Sequence, residues 1–239
     1  VAKALVETGM VKRVEPETKI VLETPTGLVA VYVKWENHTV ASINLENVPA
    51  FLYRKDLHID LAGYGDVSVD IGYGGNFFVL ADVHSLGLTI TKDTVNLLRS
   101  LSKDILAAAN KVIKVAHPTN PAINYLDQVL FCQNVPEEDG GYLAQCIFGD
   151  AQADISPCGT GTSTRLAQRY FRGLIGLEET FVQKSVCGGA FHAKGLRETT
   201  LGGVPAIVPY VSCSDVHITG FNHLIVEEND KLKNGFVSW

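Results

Sequence analysis

The feature that most constrains the fold of this chain is a long succession of short, alternating or β-branched apolar runs separated by turn residues. Pro25-Thr-Gly27 and Glu36-Asn-His38 are two such separators. This pattern predicts mostly antiparallel strands. The predicted strands are residues 19–23, 28–35, 39–45, 57–61, 67–73, 77–81, 124–131 and 142–148. A further strand-rich stretch is expected from the end of the second predicted helix to Trp239.

Only a few segments have helical periodicity. Residues 91–115 place apolar side chains near one face at a period of 3.6, which predicts an amphipathic helix. These side chains are Val95, Leu98, Leu101, Ile105, Leu106 and Val112. A second helix is predicted over residues 159–171, with Gly173 as its stop. Residues 1–6 predict the last part of another helix, which Gly9 would end.

Charge and hydropathy exclude several classes of function. The net charge of −6 comes from scattered acids, and no cluster of Lys and Arg is interleaved with aromatic residues, so a nucleic-acid-binding face is not expected. Apolar runs such as residues 77–80 and 206–211 have the length of strands, far below the roughly 20 residues of a membrane span. We therefore expect a soluble globular protein whose partners include neither nucleic acid nor a membrane.

The cysteine pattern bears on the compartment. The five cysteines are odd in number and have no CxxC spacing: Cys132, Cys146, Cys158, Cys187 and Cys213. This argues against a disulfide framework and against a zinc ribbon. Reduced thiols in the cytoplasm fit best. Because the chain begins at Val1 without an initiator Met, we expect that a preceding segment was removed or left out.

The most informative segment is Asp154-Ile-Ser-Pro-Cys-Gly-Thr-Gly-Thr-Ser163, which puts a cysteine directly before the predicted start of a helix. Free N–H groups and the positive end of the helix dipole stabilise negative charge there. We therefore expect a lowered pKa for the Cys158 thiol. Gly159 and Gly161 let a small anion such as an α-carboxylate approach the backbone, and the threonine hydroxyls add donors. Asp154 could hold a substrate amine.

A structural alternative exists for every cysteine: a buried thiol often acts only as a small apolar side chain. For Cys158 the Gly- and Thr-rich helix start favours the functional interpretation. For the other cysteines the structural interpretation is preferred, because none lies beside a predicted anion-binding feature.

The run from Asp154 to Ser163 resembles the second catalytic-cysteine signature of the proline racemase family. Other segments agree with the family in order and cover the whole chain. They are Val6-Glu-Thr-Gly9, Thr24-Pro-Thr-Gly27, Asn47-Val-Pro-Ala-Phe-Leu-Tyr53, Asp70-Ile-Gly-Tyr-Gly-Gly-Asn-Phe-Phe78, Val115-Ala-His-Pro118, Thr219-Gly-Phe-Asn222 and Lys233-Asn-Gly-Phe236.

The resemblance implies an α+β fold like that of diaminopimelate epimerase, with two pseudo-symmetric domains of strands around a central helix. Ligand is then held between two helix N-termini, each carrying one acid/base residue, without pyridoxal phosphate or metal. By position, Cys158 resembles the catalytic acid/base cysteine, Gly159 and Thr160 the carboxylate-binding amides, and Asp154 the contact to the substrate nitrogen. Phe148 resembles the aromatic wall of the ring pocket. The family often forms homodimers, so a homodimer is expected.

Two departures from the family pattern matter. Ile155 stands where the family commonly has Arg. The first catalytic motif, of the Met-Cys-Gly-His type, should lie shortly before Val1. We therefore expect residues 1–49 with 219–239 to form an incomplete first domain and residues 50–218 to form the second. We also expect the chain to be inactive alone.

The function predicted from the resemblance is a cofactor-independent proline racemase or 4-hydroxyproline 2-epimerase. The alternatives are a trans-3-hydroxyproline dehydratase, a non-catalytic fragment of the same fold and, from general thiol chemistry, a cysteine hydrolase.

Three other sequence features are interpreted as structural rather than functional. Residues 72–75 lack the Lys of a phosphate loop, the seven histidines have no metal-ligand spacing, and the arginines at 165, 169 and 172 suit the helix dipole.

Overall fold

The computed structural model describes residues 1–134, 141–222 and 225–235. Its helices are α1 (Ala2–Glu7), α2 (Val95–Val112), α3 (Gly159–Phe171) and a 3₁₀ turn (Val83–Leu86). Its strands are β1 (Glu17–Thr24), β2 (Gly27–Glu36), β3 (Thr39–Glu46), β4 (Phe51–Leu61), β5 (Gly65–Tyr73), β6 (Phe77–Asp82), β7 (Val129–Asn134), β8 (Gly141–Phe148), β9 (Gln152–Ala153), β10 (Phe181–Lys184), β11 (Ala190–Leu201) and β12 (Val204–Cys213). The expected α+β class is confirmed.

The strands form a sheet in the order β1-β2-β3-β12-β11-β10-β8-β7-β6-β5-β4, with β9 paired to β8. The pairs β6–β7 and β8–β10 are parallel, and the other pairs are antiparallel. Because β3 pairs with β12, hydrogen bonding continues from the first strands to the last. The division into residues 1–49 with 219–239 and residues 50–218 stays a prediction.

Two tight hairpins have the backbone that their residues favour. Asn37 and His38 both have positive φ, 47° and 64°, between the paired residues Glu36 and Thr39. Gly202 and Gly203, with φ of 55° and 85°, connect β11 to β12 in the same way. Two successive residues of positive φ make the type I′ turn, whose twist matches that of the flanking strands. These turns fix the register of the antiparallel strands.

From Val69 to Tyr73, strand β5 is buried on both faces, which positions α3. Ile71 and Tyr73 belong to the core cluster that also contains Leu98 of α2. The alternate residues Asp70 and Gly72 point toward α3. A strand covered on both sides needs apolar or small residues at nearly every position, and this is the pattern of β5.

The first half of α3 is enclosed by the fold, although its sequence is polar. Thr162, Ser163 and Thr164 are fully buried. Their hydroxyls donate to the backbone carbonyls of Pro157, Gly159 and Thr160 at 3.2, 3.0 and 2.8 Å, respectively. Because these bonds satisfy the hydroxyls within the helix, the small side chains fit a close-packed interior. The expectation that the threonine hydroxyls serve a ligand is wrong for Thr162 and Thr164.

The predicted helices are confirmed, with one difference in extent and burial. Gly9 and Gly173 have φ of 74° and 70° and follow the ends of α1 and α3 as expected. Helix α2 begins at Val95 rather than at residue 91, after a turn. Val112, which was expected on the buried face, is 56% exposed because it lies at the helix end. Among the described residues, no helix has both the length and the apolar character required to cross a membrane.

Two of the predicted strands are partly wrong. Residues 124–128 are in no strand, and β7 begins only at Val129. The Asn110 side chain donates to the carbonyl of Leu126 at 2.9 Å, so the middle of this segment is held against α2. Only its last residue, Gln128, accepts from a described strand, at the Val79 N–H of β6. Beyond β12 the described residues 214–222 and 225–235 also form no strand. Backbone bonds there close turns, such as Gly235 N–H to Leu232 O. The rest of that expectation, residues 223–224 and 236–239, lies outside the described part.

Gly74, which follows β5, lies directly against the backbone at the start of α3. A Cβ at this position would lie 2.6 Å from both the Thr160 carbonyl oxygen and the Thr164 backbone nitrogen. We expect Gly74→Ala to lower the free energy of unfolding by about 1–3 kcal/mol, because backbone must shift to relieve the overlap. Urea unfolding followed by circular dichroism measures the change.

Gly159→Ala is the matched control for that prediction. A Cβ at Gly159 meets no heavy atom within 4 Å, so alanine there should leave the urea midpoint nearly unchanged. Equal destabilisation by the two substitutions would contradict the role given to Gly74.

Candidate active site

Cys158 lies at the N-cap of α3 in an unusual backbone conformation. Its φ is 66° and its ψ is 109°, a region that costs energy for any residue with a side chain. The side chain is 7% exposed. The preceding loop therefore holds a thiol at a defined point beside the positive end of the helix, where a thiolate is stabilised.

A chain of hydrogen bonds connects Cys158 with Asp154. The backbone N–H of Cys158 donates to the Ser156 hydroxyl at 3.0 Å. The backbone N–H of Ser156 in turn donates to the Asp154 carboxylate at 2.8 Å. On the helix side, the N–H of Gly161 donates to the Cys158 sulfur at 3.3 Å. The two residues predicted from the sequence to act together are thus fixed relative to each other.

The N–H groups of Gly159 and Thr160 have no acceptor among the described residues, as expected for the first two positions of a helix. The space in front of Gly159 is open, because a Cβ there would meet nothing within 4 Å. The Thr160 hydroxyl lies 3.7 Å from the Cys158 sulfur. Unpaired amides, open space and a thiol together suit a small anion that also presents a C–H bond to sulfur.

Cys146 is part of this arrangement, although its sequence position did not indicate it. The sulfurs of Cys146 and Cys158 and a carboxylate oxygen of Asp154 all lie within 4.8 Å of one another. The short hairpin from β8 to β9 brings them together, since the N–H of Asp154 donates to the carbonyl of Cys146 at 3.0 Å. The turn residues Gly149 and Asp150 were the one hint of this fold-back in the sequence.

The two thiols shift each other's acidity. A hydrogen bond from the Cys146 thiol is the main cause that lowers the pKa of Cys158. Burial opposes this shift, and the Gly161 N–H and the Thr160 hydroxyl reinforce it, while the Asp154 charge opposes it. The same hydrogen bond to Cys158, followed by burial, raises the pKa of Cys146. Cys158 is therefore the more acidic thiol of the pair.

Two buried glutamines, which sequence reasoning also missed, support the loop. The amide nitrogen of Gln145 donates to the carbonyls of Cys146 and Asp154 at 3.0 and 2.9 Å. The amide nitrogen of Gln183 donates at 2.8 Å to the Pro157 carbonyl and to the Thr162 hydroxyl. These bonds attach the loop carbonyls to side chains of β8 and β10.

Phe148 and Ile155 occupy different positions around the site. Phe148 packs on the small apolar cluster that contains both Cys146 and Cys158, so it provides an aromatic surface next to the sulfurs. Ile155 is 76% exposed, and its carbonyl accepts a hydrogen bond from the Ser185 hydroxyl. Its side chain is available to a ligand that lies over the loop.

Two thiols and a carboxylate are also ligand types that zinc takes. Cys146, Asp154 and Cys158 are the one such group among the residues that the structure describes. An acid/base sulfur must be free of metal to exchange a proton with carbon. The expectation that the site uses no metal stays a prediction.

The role of Cys146 gives a first prediction for the site. Cys146→Ala should raise the pKa of Cys158, because the thiolate loses its sulfur donor. The pH dependence of Cys158 alkylation by iodoacetamide, followed by peptide mass spectrometry, measures this shift. Cys132→Ala is the matched control, since Cys132 is a buried thiol of the same apolar cluster. A Cys158 profile that is identical in wild type and Cys146→Ala would show that Cys146 only fills space.

The chain is similar to proteins of one known family. The family whose sequence pattern matches is described as "Proline racemase", and the match spans residues 1–237. The chain is 38% identical over 235 residues to trans-3-hydroxy-L-proline dehydratase from Burkholderia cenocepacia, covering 98% of this chain and 70% of that protein. It is also 38% identical over 236 residues to proline racemase from Acetoanaerobium sticklandii, with the same coverage.

A solved structure has a similar fold. It is a hydroxyproline epimerase from Agrobacterium vitis with bound trans-4-hydroxy-L-proline. It superimposes with a TM-score of 0.86 at 32% identity, covering 99% of this chain and 67% of that one.

Proposed function

This chain belongs to the proline racemase family, and we propose that it inverts the α-carbon of proline or 4-hydroxyproline without a cofactor. One observation carries the proposal: the strained Cys158 thiol lies beside two unpaired helix amides, and the space next to the Gly159 Cα is open. This arrangement brings a basic sulfur and a carboxylate-binding site next to each other. To lose its α-proton here, an α-amino acid needs its carboxylate bound while its α C–H bond faces the sulfur.

The substrate is placed by groups at fixed positions. Its carboxylate accepts hydrogen bonds from the N–H groups of Gly159 and Thr160, with the helix dipole adding to the attraction. Its ring nitrogen, which is cationic at neutral pH, lies against the Asp154 carboxylate. Phe148 forms the wall for the apolar edge of the ring. These contacts orient the α C–H bond toward the Cys158 sulfur.

Proton transfer follows from this placement. The Cys158 thiolate takes the α-proton, so a C–H bond breaks and an S–H bond forms, and the electron pair moves into the carboxylate. The helix amides stabilise the charge that develops on the carboxylate oxygens. A second acid, which the family resemblance places before Val1, delivers a proton to the opposite face. In the reverse direction Cys158 is the acid.

Dehydration of trans-3-hydroxyproline is a second candidate, because a relative of 38% identity is named for that reaction. It begins with the same removal of the α-proton. The carbanion then expels the 3-hydroxyl group instead of being reprotonated, and the proton that leaves with it must come from an acid on that side. The first catalytic residue therefore decides between the two outcomes.

The proposal also covers location and assembly. All five cysteines are unpaired, which suits a reducing compartment such as the cytoplasm. The homodimer is carried over from the family resemblance alone. The expectation that the chain is inactive by itself receives no support from the family match over residues 1–237.

The test is to incubate the full-length protein in D₂O separately with L-proline, trans-4-hydroxy-L-proline and trans-3-hydroxy-L-proline. Chiral chromatography with mass spectrometry separates the outcomes. We expect deuterium at the α-carbon together with inversion for proline or the 4-hydroxy substrate. A product lighter by one water from the 3-hydroxy substrate would identify the dehydratase instead. If no substrate acquires deuterium or loses water, the proposed function is wrong.

Cys213→Ser is the control protein for this assay. Its thiol is unpaired and lies at the end of β12, outside the proposed machinery. It should retain the wild-type rate.

A further inference from the structure

A cavity of about 280 Å³ lies beside the later part of α3, between that helix and strands β5, β6 and β7. Its charged and amide lining includes Asp70, Asp82, Asn134, Arg165, Arg169 and Arg172. Arg165 is seven residues after Cys158, about 10 Å along the helix axis. This cavity is separate from the site proposed for the amino-acid substrate.

One of the three arginines in the cavity is already neutralised. Arg172 donates to both oxygens of the buried Asp70 carboxylate, at 2.8 and 2.6 Å. It also donates to Asp56 at 2.6 Å. Its charge is therefore fully compensated by carboxylates of the protein.

The other two arginines lack such partners. Arg165 is 3% exposed, and its only hydrogen bond to an oxygen among the described residues goes from Nη2 to the Asn134 side chain at 3.2 Å; the Cys132 thiol is a further neighbour. Nη1 of Arg165 is buried without a partner, as is Nε of Arg169. Arg169 Nη2 donates to the Tyr142 hydroxyl at 2.6 Å and to the Leu174 carbonyl at 3.5 Å. Within the described chain, neither guanidinium has a carboxylate at ion-pair distance.

The two uncompensated charges are also close neighbours. Both guanidinium groups stack on the Tyr142 ring, at 5.2 and 4.0 Å from its centre. They are one helical turn apart, where like charges repel. Burial lowers the pKa of Arg169, and the charge of Arg165 lowers it further. Buried cations without a counter-ion are unfavourable, so an anion in the adjoining cavity would stabilise this pair.

We propose that this cavity binds a small protonated oxyanion, of the size and chemistry of hydrogen phosphate, between Arg165 and Arg169. Its oxygens accept from the guanidinium groups of Arg165 and Arg169, both of which line the cavity. Asp82 lines the same cavity, and one of its carboxylate oxygens accepts the N–H of His84. A carboxylate repels a bare anion but accepts a hydrogen bond from P–OH. The site therefore favours phosphate over sulfate, which carries no proton at neutral pH.

This inference does not rest on the reaction at Cys158. The donors belong to side chains that no step of the proposed mechanism uses. A phosphate bound here would occupy a second site on the helix whose N-terminus carries the Cys158 thiol. It would stabilise the folded protein by mass action.

Isothermal titration calorimetry with potassium phosphate, at pH 7 and constant ionic strength, is the test. We expect saturable binding at one site per chain and a rise in the thermal midpoint. Arg169→Gln should weaken binding by about tenfold or more, because a charge-assisted hydrogen bond is lost. Arg169→Lys, which keeps the charge but loses the planar guanidinium with its several N–H donors, should also weaken it.

Arg197→Gln is the matched control, since Arg197 is an exposed arginine on β11 that pairs with Glu46. It should bind phosphate as the wild type does. The proposal is overturned if the wild type shows no saturable binding, or if Arg169→Gln binds phosphate with unchanged affinity. Equal affinity for phosphate and sulfate would contradict the proposal that the Asp82 carboxylate selects a protonated oxyanion.

Discussion

Replacement of Cys158 by serine is expected to slow α-deuterium incorporation into proline or 4-hydroxyproline by about 10²–10⁴-fold, the contribution of a positioned general acid or base. Serine keeps the size and the N-cap position, but its hydroxyl is not ionised near neutral pH. The amides of Gly159 and Thr160 remain in place. The substitution therefore removes the base while it leaves the carboxylate-binding groups intact.

The assay should separate loss of chemistry from loss of binding. KM for the amino acid should change little in Cys158→Ser, whereas kcat should fall, because the carboxylate contacts do not involve the sulfur. Circular dichroism and the urea midpoint show whether the variant is folded. A folded Cys158→Ser protein with the wild-type kcat would exclude the thiol from proton transfer.

The second large effect concerns stability. Arg172→Met should lower the free energy of unfolding by about 3 kcal/mol, the low end for breaking a buried ion pair, since Arg172 is itself partly exposed. Stability falls because the carboxylate of Asp70, which is 4% exposed, would stay buried without its two hydrogen bonds from the guanidinium. Guanidinium chloride unfolding at pH 7 measures the change. Arg197→Gln, which breaks a surface pair, should stay within about 1 kcal/mol of the wild type.

The same ion pair predicts a dependence on pH. Burial alone would raise the pKa of Asp70, but hydrogen bonds from Arg172, Gln168 and the Asp56 N–H outweigh it and lower the pKa. The folded-state pKa therefore lies below the unfolded value of about 3.9. The stabilisation is fully present above that value and is lost as the pH falls through the folded-state pKa. Wild type should lose more stability on acidification than Asp70→Asn, and parallel profiles would contradict this account.

Local sequence was sufficient for the features that depend on neighbours along the chain. The start of α3 behind Cys158 and its stop at Gly173 follow from capping and turn residues, so their bounds were predictable. The strand expected over residues 124–131 is wrong for residues 124–128, because the hydrogen bond from Asn110 to Leu126 depends on where α2 lies. A tertiary contact of that kind leaves no mark in a short apolar run.

In the candidate site too, residues close in sequence could be predicted and residues brought together by the fold could not. Asp154, Cys158, Gly159 and Thr160 lie within one short segment, so their proximity could be predicted. Cys146 could not be assigned, because its pairing with Cys158 depends on the hairpin from β8 to β9. Gln145 and Gln183 resemble any other strand residues until the fold shows that they bond the loop carbonyls.

The central claim is that the sulfur of Cys158 is an activated thiolate next to a carboxylate-binding helix start. Its most direct test is the pH profile of Cys158 alkylation in the wild type, recorded with and without pyrrole-2-carboxylate, a planar five-membered-ring carboxylate. We predict a half-maximal rate at a pH below about 8.5, the value of an ordinary thiol, and protection by the ligand. A half-maximal rate at or above that pH, with no protection by the ligand, would contradict the account.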